Sequence, residues 1–428
     1  MRGVPRDTRA PRYAASDTRQ TFPGSIAIVS EIADRARMPR TLGRVSAVAQ
    51  SPAVRVLGLY LASRLCSSAL LGTMLAVAHM AHWPFIGIRG KPDFFVFSGS
   101  WDGWFYRSIA EHGYPTTLPF DSAGNVLPNE WAFLPVFPLL ERLVVAVSGV
   151  TTFTAGTLIA FAAGVGAALS LERLLRDHIG QQRAIRAVAL FCFGPLSFVL
   201  QVAYAESLFL LLLFATLLAI QRGRYWTALP LVLTAAFTRP GAIALCAGLA
   251  LELAAQWHAT RRKPRRLGPA AVLIFIGAAA SIAWSPIADA STGVHGTYLA
   301  TELSWWTGWV GRPAFVPFTP WFLITSRWLG PAGVVGAALL AVALGVWIIR
   351  RARRELGDTI SAFSIMHVLY LAAVFLPQFS LPRLLMPLAP LLGATLFTST
   401  RARATRWLIA AATLQPAGVL LLWYLGYP

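Results

Sequence analysis

Long apolar runs recur from residue 54 almost to the end of the chain, and short Arg-rich clusters separate them. An α-helix rises 1.5 Å per residue, so about 20 apolar residues cross a hydrocarbon core roughly 30 Å thick. The pattern predicts an all-α polytopic membrane protein. Residues 1–50 differ: they carry Arg, Pro, Ser, Thr and Ala without a sustained apolar run. They read as a flexible basic cytoplasmic tail, with a short helix at most over 25–37, and the membrane domain is expected over 51–428. No apolar signal-peptide core precedes a small-residue cleavage site, so no cleaved leader is expected.

The basic clusters set the topology. They fall at 173–186, 222–224, 261–266, 350–354 and 401–406, and the positive-inside rule places each in the cytoplasm with the N-terminus. An even number of spans must then separate neighbouring clusters. The first span is expected at 54–80. The stretch 81–151 has an acid excess and becomes a long exoplasmic loop. Residues 133–147 are apolar but short and hold Glu141 and Arg142; parity makes them a helix lying in the exoplasmic interface. The second span is 152–171. Residues 187–220 must hold two spans with 201–206 at the outer turn. Residues 225–257 must hold two short helices broken at Thr238-Arg239-Pro240-Gly241, a break tolerated where the backbone lines a cavity. Further spans follow at 268–287, 331–349, 360–377, 384–399 and 406–425, and 288–330 forms a second exoplasmic loop. The total is about 11 transmembrane helices.

Composition agrees and narrows the class. Hydrophobic residues make up 56% of the 428 positions and charged residues 13%, about half the charged share of an ordinary soluble domain. The formal charge of +19 would suggest nucleic acid in a soluble protein. Here the basic residues sit between membrane runs, so no nucleic-acid partner is expected. Cys66, Cys192 and Cys246 lie singly in apolar runs and give neither a disulfide framework nor a metal site.

Charges in or beside apolar spans cost roughly 2.5–3.5 kcal/mol each on insertion scales, which makes Arg64, Glu206, Arg239, Glu252 and Arg383 informative. Glu252 and Arg64 lie toward the cytoplasmic ends of their spans and read as structural. Glu206, Arg239 and Arg383 fall at exoplasmic ends, the side of the acidic loop, and with Asp102 suggest a polar cavity opening outward. The richest segment is Trp101-Asp102-Gly103-Trp104-Phe105-Tyr106-Arg107 followed by Glu111-His112-Gly113-Tyr114. It can be an interfacial aromatic belt. Alternatively, a carboxylate between two Trp is poorly solvated and gains proton affinity, which suits a general base acting on a sugar hydroxyl. Two further segments are Glu130-Trp131-Ala132-Phe133-Leu134-Pro135 and Tyr204-Ala205-Glu206-Ser207-Leu208-Phe209; in both, the acid can equally cap a helix.

Taken together, these segments resemble the GPI mannosyltransferase II (PIG-V) family, with its bacterial relatives, in the GT-C superfamily of membrane glycosyltransferases. Trp101-Asp102 through Gly113-Tyr114 is similar to the family's WD…IA…GY signature. Glu130 through Pro138 is similar to its E-x-x-AFFP-x-x-P block, Gly194-Pro195 through Phe209 to its NP…YSESLF block, Thr238-Arg239-Pro240 to its TR-P/S turn, and Arg383 with Pro387 to its last element. The chain departs at Gly194, where the family has Asn, and at Leu384, where it has an aromatic residue.

The resemblance implies a GT-C-like bundle with its catalytic acid in the first exoplasmic loop, where charge counting had placed Asp102. It implies a polyprenyl-phosphate mannose donor, inversion to an α-mannoside, and multi-pass residence in the plasma (cytoplasmic) membrane. Asp102 is the expected general base. Trp101, Trp104, Arg107, Glu111, His112, Tyr114, Glu130, Glu206, Arg239 and Arg383 are the expected substrate-binding set, with Arg239 and Arg383 on the donor phosphate. No metal ligands and no tightly bound cofactor are expected, and the need for a divalent metal is left open. A glycolipid, a lipoglycan or a protein hydroxyl all fit as acceptor. Other readings stay open: a transferase for another lipid-linked pentose or hexose, a lipid or sugar-lipid transporter, and a structural subunit of a cell-envelope complex. The last would not need Asp102. A transporter would be expected to show repeats and mid-membrane binding groups.

Overall fold

The computed structural model describes residues 51–85, 91–261 and 267–426. The tail at 1–50, the short helix expected at 25–37 and most of the 261–266 cluster lie outside the described residues. What is described is helical, and the single β feature among these residues is an isolated antiparallel bridge between Phe120 and Val126.

Helix α1 (Pro52–Met80) opens with a proline, whose missing N–H costs nothing in a first turn. The loop after it contains α2 (Phe94–Ser98), α3 (Asp102–His112), a 3-10 turn at Glu130–Ala132 and α4 (Val136–Ser148). Then come α5 (Thr152–Ile179), α6 (Gln181–Cys192), α7 (Glu206–Gln221), α8 (Tyr225–Ala236), α9 (Ile243–Thr260), α10 (Leu267–Ile282), α11 (Trp284–Thr292), α12 (Thr297–Ser304) and α13 (Thr307–Val310). The remainder is α14 (Pro320–Trp347), α15 (Arg353–Leu356), α16 (Asp358–Val374), α17 (Leu381–Leu384), α18 (Thr395–Thr398) and α19 (Arg401–Gly418).

Among the described residues, five helical stretches are long and apolar enough to cross a membrane: Pro52–Met80, Thr152–Ile179, Leu267–Thr292, Pro320–Leu356 and Arg401–Tyr424. Helices α7, α8 and α16 are apolar but shorter. The chain is a multi-pass, all-α membrane protein. The region 187–220, where parity called for two spans, holds the end of the 12-residue α6, a 3-10 turn at Ser197–Leu200 and α7, while 225–257 holds α8 and α9 as two short helices. The break between α8 and α9 falls at Thr238–Gly241. There Gly241 has φ 105°, and a Cβ on it would come within 3.3 Å of the Tyr370 ring, so glycine is required twice over.

Two expectations need correction. Residues 384–399 do not form a regular spanning helix. Pro387 and Pro390 remove donors from the ladder, and the segment becomes the end of α17, a 3-10 helix at Met386–Gly393 and α18. The loop expected at 288–330 is shorter than its composition suggests. Helix α11 runs to Thr292, and α14 already begins at Pro320 with a kink at Gly330 (φ 59°).

The core centres on α5, which packs most extensively on α7. Small residues on α5 permit this: Ala155, Gly156, Ala160, Ala163, Gly164, Ala167 and Ala168 are all buried. Gly164 makes room for Tyr60 of α1, whose hydroxyl donates to the Phe161 carbonyl at 3.0 Å. Arg64, also on α1, is structural. It is buried and donates to the free carbonyls of Ser197 and Cys192 at the irregular turn after α6. Helix α4 exposes Leu139, Leu143 and Val147 in one stripe and buries Glu141, a polarity suited to an interfacial helix.

Candidate active site

Two helix N-termini meet at one arginine. Asp102 is the first residue of α3 and Glu206 the first of α7, positions where the unpaired N–H groups and the helix dipole favour a carboxylate. The chain enters α3 through Trp101, a non-glycine residue at φ 61°. Such a conformation costs of order 1–3 kcal/mol and persists only when its surroundings hold it. Here the Trp101 indole N–H donates to the Trp423 carbonyl at 2.8 Å. The Asp102 N–H donates to the Tyr204 hydroxyl at 3.2 Å, which in turn donates to the Ser100 carbonyl at 3.0 Å.

Arg383, on the irregular α17, supplies the charge. Its Nη1 lies 2.5 Å from Asp102 Oδ2 and 2.9 Å from Glu206 Oε1. Arg239, from the α8–α9 break, also binds Glu206 Oε1. The four side chains are only 16% (Asp102), 4% (Glu206), 10% (Arg383) and 12% (Arg239) exposed. The Arg383 guanidinium lies over the Tyr204 ring, 5.2 Å from its centroid. Two acids and two arginines thus balance in a poorly solvated place, where a lone charge would be costly.

These groups line a cavity of about 740 Å³. Trp101, Trp104, Phe105, Trp284, Trp305 and Trp306 give it aromatic walls, and Tyr298, Glu302, His367, Tyr370 and Gln378 add polar groups. Burial pushes the Asp102 carboxyl above the usual carboxylate range, with Arg383 opposing. Burial likewise pushes Glu302 up to about 7. His367 is buried, and its Nε2 lies 3.0 Å from the Leu384 carbonyl, which ties α16 to the turn bearing Arg383.

Of the residues singled out in the sequence, Trp101, Asp102, Trp104, Glu206, Arg239 and Arg383 share this cavity. Arg107, Glu111, His112, Tyr114 and Glu130 do not line it. Arg107 pairs with Glu111 at 2.8 Å and lies over the Trp104 and Phe153 rings. Glu111 also accepts from Thr152 at 2.8 Å, fastening α3 to α5. His112 is exposed. Tyr114 donates to the Phe133 carbonyl at 2.7 Å and stacks on Trp131. Glu130 accepts from Ser108 at 2.8 Å, while Asn129 caps the 3-10 turn. Arg107, Glu111, Tyr114 and Glu130 thus build the loop around the cavity. The sequence reading missed Glu302, Tyr298, His367 and Tyr370. Glu302 had a signal, because it lies in the Trp-rich run Tyr298–Trp309 much as Asp102 lies between Trp101 and Trp104. Among the described residues no group of three or more His, Cys, Asp or Glu is placed to hold a metal ion.

Fold and cavity define a multi-pass membrane protein with an aromatic pocket built around paired charges. No family model matches the chain. A stretch of 139 residues is 32% identical to GPI alpha-1,6-mannosyltransferase 2 of Homo sapiens, covering 30% of this chain and 26% of that protein. The Mus musculus protein of the same name is 31% identical over 139 residues. The match thus spans about a quarter of the length of these relatives. The chain is similar to GPI mannosyltransferases over this stretch, as its motifs imply. Superposition on the Archaeoglobus fulgidus oligosaccharyltransferase gives a TM-score of 0.46 at 14% identity, over 84% of this chain and 52% of that one. ArnT from Cupriavidus metallidurans, bound to undecaprenyl phosphate, gives 0.46 at 15% identity, over 82% and 64%.

Proposed function

We propose that the protein is a membrane glycosyltransferase that moves mannose from polyprenyl-phosphate mannose to an acceptor hydroxyl on the exoplasmic face of the plasma membrane, with inversion to an α-mannoside. The observation that carries this reading is the sharing of Arg383 by Asp102 and Glu206, beside Arg239, in an aromatic cavity. The similarity to mannosyltransferases supports mannose as the sugar.

The chemistry follows from the charges. The acceptor oxygen attacks C1 of the sugar from the face opposite the phosphate, and the C1–O bond breaks toward phosphate. Asp102 takes the acceptor proton; burial raises its proton affinity toward that task. Its Oδ2 is held by Arg383, which fixes the carboxylate and leaves the other oxygen to face the acceptor. The leaving polyprenyl phosphate is a weak base and needs no proton donor. It needs positive charge, which Arg239 and Arg383 supply. A guanidinium carries five N–H donors, and Arg383 binds both carboxylates through Nη1, so donors remain for a phosphate after both carboxylates are bound. Trp101 and Trp104 offer rings to the apolar face of a sugar. The acceptor is a glycolipid, a lipoglycan or a protein hydroxyl.

The test is sugar transfer by the full chain in membranes, supplied with defined polyprenyl-phosphate sugars. Mannose transfer, strongly reduced by loss of Asp102, is the expected result. Transfer of another sugar in its place would correct the donor. No transfer from any polyprenyl-phosphate sugar would overturn the reading.

A further inference from the structure

Helix α12 carries Tyr298 and Glu302 one turn apart, so both side chains leave the same face, and both line the cavity. Tyr298 hydrogen-bonds the Glu302 carboxyl. Arg239, Asp102 and Arg383 all act on Glu302 electrostatically, as does Tyr370. The helix is firmly held. Asp289 accepts from the N–H groups of Gly296 and Thr297 at 3.0 Å each, and buried Thr301 receives the Asn129 amide at 3.0 Å. Just beyond it, the Trp305 ring meets Phe105 edge-on, with centroids 5.6 Å apart. Glu302 is therefore a carboxyl on a rigid element, beside aromatic walls, and the mechanism above does not use it.

We propose that Glu302, oriented by Tyr298, recognises the hydroxyl groups of the transferred sugar and so sets donor specificity. The proposal rests on the reading of Arg239 as a ligand of the donor phosphate. The sugar is bonded directly to that phosphate, so its ring hydroxyls lie within one sugar's length of Arg239, the zone Glu302 occupies. A carboxyl can accept from two neighbouring hydroxyls at once, and aromatic rings cover the C–H face that the hydroxyls leave bare. A donor that lacks the recognised hydroxyl leaves the Glu302 carboxyl with Tyr298 but with an acceptor site unfilled. That is the arrangement by which a site rejects a deoxy analogue far more strongly than a simple apolar pocket can.

The experiment uses the full chain in membranes with polyprenyl-phosphate mannose and its monodeoxy analogues. One deoxy donor is expected to lose about 10- to 150-fold in kcat/KM with the wild-type protein, the worth of a hydrogen bond to a charged group. Glu302→Gln is expected to lose a similar factor with mannose and to show little further loss with that same deoxy donor. Binding of undecaprenyl phosphate, which carries no sugar, should stay within about twofold of wild type in Glu302→Gln, because recognition and phosphate binding are separate. Equal use of all deoxy donors by the wild-type protein would overturn the proposal without any variant. So would a Glu302→Gln protein that loses undecaprenyl phosphate binding, since Glu302 would then support the phosphate site or the fold. A wild-type protein that transfers no sugar from any polyprenyl phosphate would instead sink the glycosyltransferase reading itself.

Discussion

Arg383 Nη1 lies 2.5 Å from Asp102 Oδ2, although 281 positions separate the two residues in the chain. The same nitrogen reaches Glu206 at 2.9 Å. One cation therefore fixes the carboxylates that open α3 and α7.

This sharing makes Asp102→Asn a clean probe. The amide keeps the size of the side chain, and Arg383 keeps its bond to Glu206. Turnover should fall by roughly 10²–10⁴, the usual contribution of a general base, while donor affinity changes little. Measuring kcat and donor Kd separately on the same membrane preparation checks both halves. A turnover near wild type would move the base elsewhere, with Glu302 the next group to test.

Arg239 and Glu206 should separate by phenotype. In Arg239→Ala, Glu206 keeps its bond to Arg383, so the fold should hold. Donor binding and turnover should weaken together, because the phosphate is charged in ground and transition states alike. Glu206→Gln removes the partner common to both arginines. Stranding buried charges costs about 3–5 kcal/mol, so that variant should lose Tm in detergent as well as activity. Equal thermal stability in the two variants would contradict the bridging role of Glu206.

The sequence made the charges legible because each broke a strong rule: Glu206, Arg239 and Arg383 stand where apolar spans tolerate no unpaired ion. The two short helices α8 and α9 followed from the parity of Arg clusters, whereas the two spans expected in 187–220 appear as the end of the 12-residue α6 and α7. Glu302 carried only the weaker signal of its Trp-rich run, because an acid in a loop costs nothing by hydropathy. Its importance arises only when α12 is laid across the cavity. The 384–399 segment misled for the opposite reason. It is apolar enough to span, but hydropathy does not register the two prolines, Pro387 and Pro390, that break its ladder. Glu111 and Glu130 share the aromatic setting of Asp102 in sequence. In space Thr152 and Ser108 hold them away from the cavity wall.

The topology has its own test. Ala123 lies in an exposed turn of the long loop between α3 and α4, and Gln182 is exposed at the start of α6 within a basic cluster. In a chain whose exposed Cys66 is replaced, a cysteine at 123 should react with an impermeant reagent added outside intact cells. One at 182 should react only after the membrane is opened. Reaction of both from the same side would break the parity that assigns the exoplasmic face.

The pH dependence of stability should report on Glu302. Its carboxyl is raised from 4.5 to about 7, with burial the chief cause. Below pH 4.5 the group is protonated in folded and unfolded chains alike and contributes no slope. Between about 4.5 and 7 the folded protein still holds the proton that the unfolded chain has released, so stability falls as pH rises through this window. Above 7 both states are ionised and the slope ends. Glu302→Gln cannot titrate and should lack this component. The Tm of the wild-type protein should therefore decline relative to that of Glu302→Gln from pH 5 to 7 and then run parallel to it. A difference that stays constant across the window would mean that Glu302 is solvated well enough to ionise normally. The cavity around it would then be wetter than its aromatic walls imply, and a donor hydroxyl would gain little by replacing water there.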